Sequence, residues 1–147
     1  MKRSKRLEPV GALAEEAERE CAAQVAAVQG RLADAQRSCL ELKRYLGEYQ
    51  SMFQQRASAS AGIGVSGMRD YQTFIARLGE AVRQQQGMIE QLQADCECAR
   101  ARWVEAAARK SAVRKVIANV RAEDQKLEER RNQNESDEHA QRLGGAR

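Results

Sequence analysis

Apolar residues recur along the chain at the spacing of an α-helical coiled coil, in which a seam position follows every third or fourth residue. From Val25 to Phe53 the steps alternate between +3 and +4 without interruption. Upstream, Ala14, Ala17 and Cys21 extend this seam, but the +4 step from Cys21 to Val25 predicts a local phase shift in the winding. The predicted first seam consists of Val25, Val28, Leu32, Ala35, Cys39, Leu42, Leu46, Tyr49 and Phe53.

A second and longer seam keeps the same alternation from Tyr71 to Leu127. Only Gln85, Lys110 and Asp124 interrupt its apolar character. Polar residues at seam positions often specify the register of a coiled coil at a cost in stability, so these three are candidates for that role. The predicted second seam consists of Tyr71, Ile75, Leu78, Val82, Gln85, Ile89, Leu92, Cys96, Ala99, Trp103, Ala106, Lys110, Val113, Ile117, Val120, Asp124 and Leu127.

The two seams are separated by a segment in which Gly62, Gly64 and Gly67 lie among serines, a composition that opposes a continuous helix. A short connection between long helices makes them antiparallel neighbours. The sequence therefore predicts an all-α protein, an antiparallel two-helix coiled-coil hairpin with a longer second helix. Residues 1–147 form this single hairpin, with helix one at about 8–57, a tip loop at about 58–67, helix two at about 68–142, and flexible ends at 1–7 and 143–147.

Pairing the seams outward from the loop places Cys21 opposite Trp103, where a small side chain leaves room for the largest one. In this register helix one ends opposite residues 110–116 of helix two. We therefore expect the last stretch of helix two, about 25 residues at ~1.5 Å each, to lack an intramolecular partner. The run from Glu128 to Glu138 has no apolar stripe, in agreement with such an overhang.

The composition favours long, mostly exposed helices over a compact core. The chain has one Pro, one Trp, three Tyr and two Phe, and 31% of its residues are charged. Few large side chains are available to offset conformational entropy, which argues against a sandwich, a barrel or an α/β enzyme. The net charge of +4 is spread over both signs apart from the short cluster at 2–6, so nucleic acid is not an expected partner. No segment has the pattern of a membrane span or a signal peptide.

No set of residues predicts catalysis, a metal site or a cofactor site. Cys21, Cys39, Cys96 and Cys98 have no ligand spacing, and the single His139 is remote from them in sequence. They are interpreted as reduced packing cysteines. The glycines at 62, 64 and 67 match a dinucleotide-binding pattern by letters but follow a helix instead of a strand. We expect no enzyme activity, no metal and no cofactor.

The informative side chains are aromatic residues that the seam does not require. Tyr45 and Phe74 each lie next to seam positions, and two helices are unable to cover them fully. In the predicted register they lie close to Tyr49 and Leu78, beside the tip. Such a cluster either marks a binding patch or widens the core stripe, and the pattern alone supports both interpretations.

These residues resemble a known family. The motif Leu42-x-x-Tyr45-x-x-x-Tyr49-Gln50, a glycine-containing break, and the motif from Tyr71-Gln72-x-Phe74-Ile75 to Ala81-Val82-x-x-Gln85 look like FliJ, a component of the flagellar type III export apparatus. Trp103 in the middle of helix two, the Arg130–Asp137 stretch and the overall length also fit.

The resemblance implies a stalk protein without catalysis, similar to the central rotor stalk of rotary ATPases. The end that carries both termini would lie in the pore of a hexameric export ATPase, with contacts near residues 8–25 and 105–127. A surface near the tip would bind the cytoplasmic domain of the export gate protein FlhA, and export chaperones would bind as well. Its location would be cytoplasmic and peripheral at the inner membrane, with the membrane reached only through these partners.

Carried over by position, the gate-binding face implied by the resemblance contains seven residues. Ser38 departs from the family pattern, which has a glutamine at that place, and is not included. The alternatives are a stalk protein of a virulence-type secretion system, a structural coiled-coil adaptor or homodimer, and a basic coiled coil that binds nucleic acid. The seven residues of the predicted gate-binding face are Leu42, Tyr45, Tyr49, Phe74, Leu78, Ala81 and Gln85.

Overall fold

Two long helices account for nearly all of the chain. The computed structural model describes residues 2–59, 62 and 64–145. Helix α1 is Arg3–Ser58 and helix α2 is Val65–Gly145, with 56 and 81 residues, and the described residues contain no strand. The predicted fold class, an all-α helical hairpin with a longer second helix, is confirmed. Parts of the predicted tip loop and flexible ends, namely residues 1, 60, 61, 63, 146 and 147, lie outside the described residues.

Helix α1 begins at Arg3, ahead of the start near residue 8 that the sequence predicts. Pro9 therefore lies inside the helix, where it has no N–H to donate to the carbonyl of Lys5. The residues that precede Pro9 contact α2. Lys2 forms an ion pair with Glu128 at 2.7 Å, and Arg3 forms one with Glu123 at 3.6 Å. These exposed ion pairs connect the beginning of α1 to α2.

The break between the helices follows the predicted glycines. Gly62 has a φ of 62°, in the left-handed region that glycine adopts without a Cβ clash. Its N–H donates to the carbonyl of Ala59 at 2.9 Å, and the N–H of Met68 donates to the carbonyl of Gly64 at 2.9 Å. Helix α2 begins at Val65, so the last residues of the predicted loop, up to Gly67, form its first turn.

The chain divides into two compact units along its length. We call Ala23–Arg100 the tip unit, and Met1–Ala22 together with Ala101–Arg147 the terminal unit. In the tip unit the side chains that are buried or half-buried follow the predicted seams: from Val25 to Phe53 on α1 and from Tyr71 to Ala99 on α2, every predicted seam position is covered to one of these degrees. The buried ones are Val28, Ala35, Cys39, Val82 and Ala99.

In the terminal unit one seam position of α1 is a charged residue, which the apolar pattern does not reveal. Glu18 is half-buried and lies four residues after the buried Ala14 and three before Cys21. The +3/+4 alternation therefore continues through Glu18 and needs no phase shift at Cys21, contrary to the prediction. A pattern built from apolar residues selected Ala17 because it gives no weight to a glutamate at a seam position.

Helix α1 contacts α2 closer to the C-terminus of α2 than the sequence predicts. Lys2 reaches Glu128 and the backbone of Ser4 reaches Asp124, so α1 does not end opposite residues 110–116. Because α1 begins at Arg3 and not near residue 8, it lies beside a longer part of α2 than predicted. Within the described residues, α2 beyond Glu128 forms no hydrogen bond or ion pair with α1, so a shorter overhang than predicted remains.

No helix among the described residues is both long enough and apolar enough to cross a membrane.

Candidate partner-binding surfaces

The tip unit contains all seven residues of the predicted gate-binding face. We assign heptad positions from the observed seam, with a and d in the seam and e and g on its two flanks. Tyr45 and Phe74 are exposed to 44% and 42%, and both occupy g positions. Ala81, also at g, is half-buried. The four remaining residues are half-buried in the seam itself; they are Leu42, Tyr49, Leu78 and Gln85.

An aromatic contact joins the two helices within this face. The ring centroids of Tyr49 and Phe74 are 4.6 Å apart with an interplanar angle of 62°, an edge-to-face arrangement. Such pairs add stabilisation beyond that of the buried area alone. Phe74 therefore rests with one side against α1 while the other side stays accessible, so it both stabilises the hairpin and is available to a partner.

A second aromatic pair lies closer to the glycine break. Phe53 and Tyr71 have ring centroids 6.0 Å apart, and the guanidinium of Arg56 lies 5.5 Å from the centroid of the Tyr71 ring. Another guanidinium, that of Arg44, lies 5.3 Å from the centroid of the exposed Tyr45 ring. The half-buried side chain of Phe53 agrees with its predicted seam position. Tyr45 has no such partner on α2 and is the most accessible aromatic of the face.

Gln85 has a structural contact in addition to its predicted role. Its side-chain amide donates to the main-chain carbonyl of Ala35 at 3.3 Å, across the seam. This bond satisfies a polar group at a position where the other residues are apolar. Gln85 is thus one of three polar seam residues on α2 that contact α1, which supports their predicted function in specifying register.

The other two polar seam residues lie in the terminal unit, where Lys110 takes part in a clamp with Glu18 and Trp103. The carboxylate of Glu18 accepts a hydrogen bond from Trp103 Nε1 at 3.0 Å, and its other oxygen lies 3.5 Å from Lys110 Nζ. The side chains of Glu18 and Lys110 are only 18% and 24% exposed. The hydrogen bond from Trp103, with a smaller contribution from Lys110, holds the pKa of Glu18 below its usual range.

Trp103 differs from the prediction that it is a packing residue opposite Cys21. It is 37% exposed, and its indole nitrogen reaches Glu18, which precedes Cys21 by almost one helical turn. The indole is large and its N–H requires an acceptor, so it lies at the edge of the seam and not within it.

Asp124 caps the beginning of α1 from the opposite helix. Its carboxylate accepts a hydrogen bond from the backbone N–H of Ser4 at 3.0 Å. The first turn of α1 contains no acidic residue, so Asp124 supplies the negative charge that a helix N-terminus favours. The same bond lowers the pKa of Asp124. Nearby, the contact with Glu128 raises the pKa of Lys2, and the reciprocal effect lowers the pKa of Glu128.

The two flanks of the terminal unit differ in chemistry. On the e flank, Arg114 pairs with Glu15 at 3.2 Å and Arg121 with Glu8 at 3.8 Å. On the g flank an open apolar groove runs between the helices, which the seam pattern did not predict. Val10 and Val116 are exposed to 47% and 53%, and Val10 is recognised as a g position only once the seam of α1 is known to pass through Glu18. The groove is lined by Leu7, Val10, Ala112, Val113, Val116 and Ile117.

The described residues contain no group of three or more His, Cys, Asp or Glu side chains placed to hold a metal ion. All four cysteines are free thiols. Cys39 is buried and Cys21 and Cys96 are half-buried, as packing residues would be, whereas Cys98 is exposed. The polar contacts of Gln85, Glu18 and Asp124 connect the two helices.

Taken together, these features define a coiled-coil hairpin protein with aromatic residues displayed beside its helical break. The family model for the flagellar FliJ protein matches residues 3–147, nearly the whole chain. The chain therefore belongs to the FliJ family. Searches of curated proteins and of solved structures find no match.

Family membership gives the general function. The chain is a stalk protein of the flagellar export apparatus, a type III secretion machinery. The family is structural and non-catalytic, in line with the prediction that the chain is not an enzyme.

Proposed function

We propose that this chain couples the hexameric ATPase of the flagellar export apparatus to the export gate, with the gate-binding face in the tip unit. The face contacts the cytoplasmic domain of FlhA through Leu42, Tyr45, Tyr49, Phe74, Leu78, Ala81 and Gln85. The observation that carries this proposal is the edge-to-face contact between Tyr49 and Phe74. It fixes an exposed aromatic ring in one orientation before any partner binds, which lowers the entropic cost of association.

The seam positions of four members of this face are compatible with binding. Half-buried side chains form the floor of a shallow surface, whereas Tyr45 and Phe74 project from it. Hot spots of protein interfaces have this arrangement, with aromatic anchors surrounded by residues that mainly exclude water. The coiled coil needs no rearrangement to present these two rings.

By the same proposal the chain contacts the ATPase ring near residues 8–25 and 105–127, which lie mostly in the terminal unit. The apolar groove beside Val10 and Val116 supports this assignment, because exposed apolar surface on a thin coiled coil favours a protein partner. Export chaperones complete the set of proposed partners. The chain acts in the cytoplasm, at the inner face of the membrane, and reaches the membrane through these partners.

The test is a titration of the purified gate cytoplasmic domain with full-length variants. Phe74→Ala and Tyr45→Ala should each weaken binding at least about tenfold, as expected when an anchor residue is truncated. Leu40→Ala is the matched control, since Leu40 is 68% exposed in the same unit but lies outside the face. Its affinity should equal that of the native chain.

Folding and cellular function provide the second readout. Far-UV circular dichroism melts separate lost binding from lost structure, which matters because Phe74 also packs on Tyr49. Cells that produce the Tyr45→Ala chain should swim poorly while accumulating it at normal levels. If both aromatic variants bind the gate domain and support motility like the native chain, the proposed gate contact is wrong.

A further inference from the structure

The exposed large apolar side chains of the tip unit lie mostly on one flank of the coiled coil. On α1, Tyr45 and Met52 are seven residues apart and exposed to 44% and 40%. On α2, Phe74 and Met88 are fourteen residues apart and exposed to 42% and 54%, with Ala81 midway. A spacing of seven returns to the same side of a coiled-coil helix, so all five residues occupy g positions.

These g positions belong to the same side of the hairpin on both helices. In an antiparallel pair the g flank of one helix lies beside the g flank of the other, and the contact between Tyr49 and Phe74 joins the helices on this side. The opposite flank differs in composition. Gln50 and Gln72 line an open groove there, next to Phe53 and Ile75. The g flank of the tip unit is thus the more apolar of the two.

We propose that Met52 and Met88 extend the gate-binding face, so that the g flank of the tip unit is one continuous docking surface for the gate cytoplasmic domain. This inference rests on the proposed function and adds two contact residues that the family resemblance does not supply. The partner surface it requires is apolar and long enough to cover the flank from Met52 to Met88.

The size of a stable interface supports this extension. A standard interface covers about 800 Å² on each partner and includes roughly 20–30 residues a side. The proposed face has seven residues, four of which are half-buried in the seam, and these expose too little surface for such an interface. Phe74 and Met88 are separated by roughly 21 Å along α2 at ~1.5 Å per residue. A partner centred on Phe74 and Ala81 that covers a standard area therefore reaches Met88.

The chemistry of methionine fits this position. Its unbranched thioether side chain adapts to irregular apolar surfaces, and methionines are common where one surface contacts flexible or varied partners. Phe74 and Tyr45 then act as rigid anchors, whereas Met52 and Met88 adjust at the two ends of the contact. Nothing in the coiled coil requires apolar residues at these two places, because neither belongs to the seam.

The test compares Met88→Gln and Met52→Gln with Leu40→Gln in calorimetric titrations of the full-length chain with the gate cytoplasmic domain. Glutamine has a helix propensity close to that of methionine and a similar length, so α1 and α2 should be unaffected. We expect Met88→Gln to raise Kd about fivefold to tenfold, and Met52→Gln to raise it by a similar or smaller factor. Leu40→Gln should leave Kd within about twofold of the native value.

The outcomes separate this inference from the proposed function. If Phe74→Ala weakens binding but neither methionine variant does, the extended surface is wrong and the gate contact stands. If Phe74→Ala and Tyr45→Ala also leave Kd unchanged, the proposed function itself fails. Equal weakening by Leu40→Gln and Met88→Gln would show that any loss of exposed apolar surface has this effect, and would likewise overturn the extended surface.

Discussion

Trp103 Nε1 donates a hydrogen bond to the carboxylate of Glu18 at 3.0 Å, across the seam of the terminal unit. Lys110 lies on the other side of the same carboxylate, one heptad farther along α2. The seam around this cluster consists of small side chains, with Ala14 and Ala106 buried at 6% and 8% exposure. Alanines bury little area and specify register poorly, so the polar contacts contribute much of the alignment here.

Removing one partner of the ion pair between Glu18 and Lys110 should lower the Tm more than replacing both partners with leucine. Glu18→Leu alone leaves the ammonium of Lys110 poorly solvated and unpaired, so we expect a lower Tm. The double variant Glu18→Leu with Lys110→Leu completes the apolar seam, and the 37% exposed indole of Trp103 donates to water in place of Glu18. The Tm of the double variant should therefore be at or above that of the native chain, as is common when apolar residues replace an ion pair. Thermal melts of both variants by circular dichroism test this order. A double variant less stable than the single one would contradict it.

The Glu18 carboxylate also predicts a pH dependence. Its folded-state pKa lies below the ordinary 4.5, mainly because of the hydrogen bond from Trp103. The stabilisation is therefore fully present above pH 4.5 and is lost as the pH falls through the lower folded value. The chain has a single Trp, so indole fluorescence comes from Trp103 alone. We expect a fluorescence transition below pH 4.5 in the native chain and its absence in Glu18→Gln.

Asp124 should control the order of the first turn of α1. In Asp124→Ala the backbone N–H of Ser4 loses its acceptor, and Pro9 already removes one helical hydrogen bond nearby. Amide hydrogen exchange in residues 3–8 should therefore accelerate, while exchange in the tip unit should stay unchanged. Asp124→Asn is the matched control, because an amide oxygen still accepts the bond but lacks the charge. Equal protection in Asp124→Ala and the native chain would show that the cap has no effect.

The contact between the rings of Phe74 and Tyr49 should contribute measurably to the stability of the hairpin. Phe74→Leu keeps an apolar side chain at g but removes the ring contact with Tyr49, a type of pair that contributes about 0.5–1.5 kcal/mol beyond area burial. We expect a loss of that order in the free energy of unfolding measured by urea titration. Tyr49→Leu should produce a similar loss, and the double variant should lose less than the sum of the two. Additive losses would mean that the rings do not interact.

Glycines inside the helices provide a test of packing against helix propensity. A Cβ at Gly30 meets no atom within 4 Å, so Gly30→Ala should stabilise the chain by about 1 kcal/mol. A Cβ at Gly11 would lie 2.8 Å from Ile117 Cδ1, which has to move. Gly11→Ala should therefore gain clearly less than Gly30→Ala. Urea titrations of the two variants measure the difference, and equal gains would show that Ile117 relocates freely.

The fold was largely predictable because the residues that pack in a coiled coil recur at a fixed spacing in the sequence. The positions from Val25 to Phe53 identify themselves by apolar spacing, and the glycines around Gly62 mark the break. Glu18 was not predictable in this way, because its seam position becomes visible only when Lys110 and Trp103 are known to face it. The start of α1 at Arg3 likewise depends on partners more than a hundred residues away, such as Glu128.

The candidate site was predictable in part. Tyr45 and Phe74 stood out because the seam did not need them, and the structure places them on the same flank. Met52 and Met88 gave no signal in the apolar pattern, since isolated methionines on a helix are common and only their heptad relation to Phe74 distinguishes them. The groove beside Val10 required both helices to be in place.

The contacts between the beginning of α1 and α2 have a consequence for how the chain folds during its synthesis. Lys2 and Glu128 are 126 positions apart, and Ser4 and Asp124 are 120 apart. A ribosome makes the first residues of α1 long before their partners, whereas Phe53 and Tyr71 become available within moments of each other. We therefore expect closure to proceed from the glycine break outward, with the N-terminal turn ordered last. Until the facing part of α2 around Val113 and Ile117 has been made, we expect Leu7, which is half-buried in the folded hairpin, to be fully accessible to chaperones and proteases.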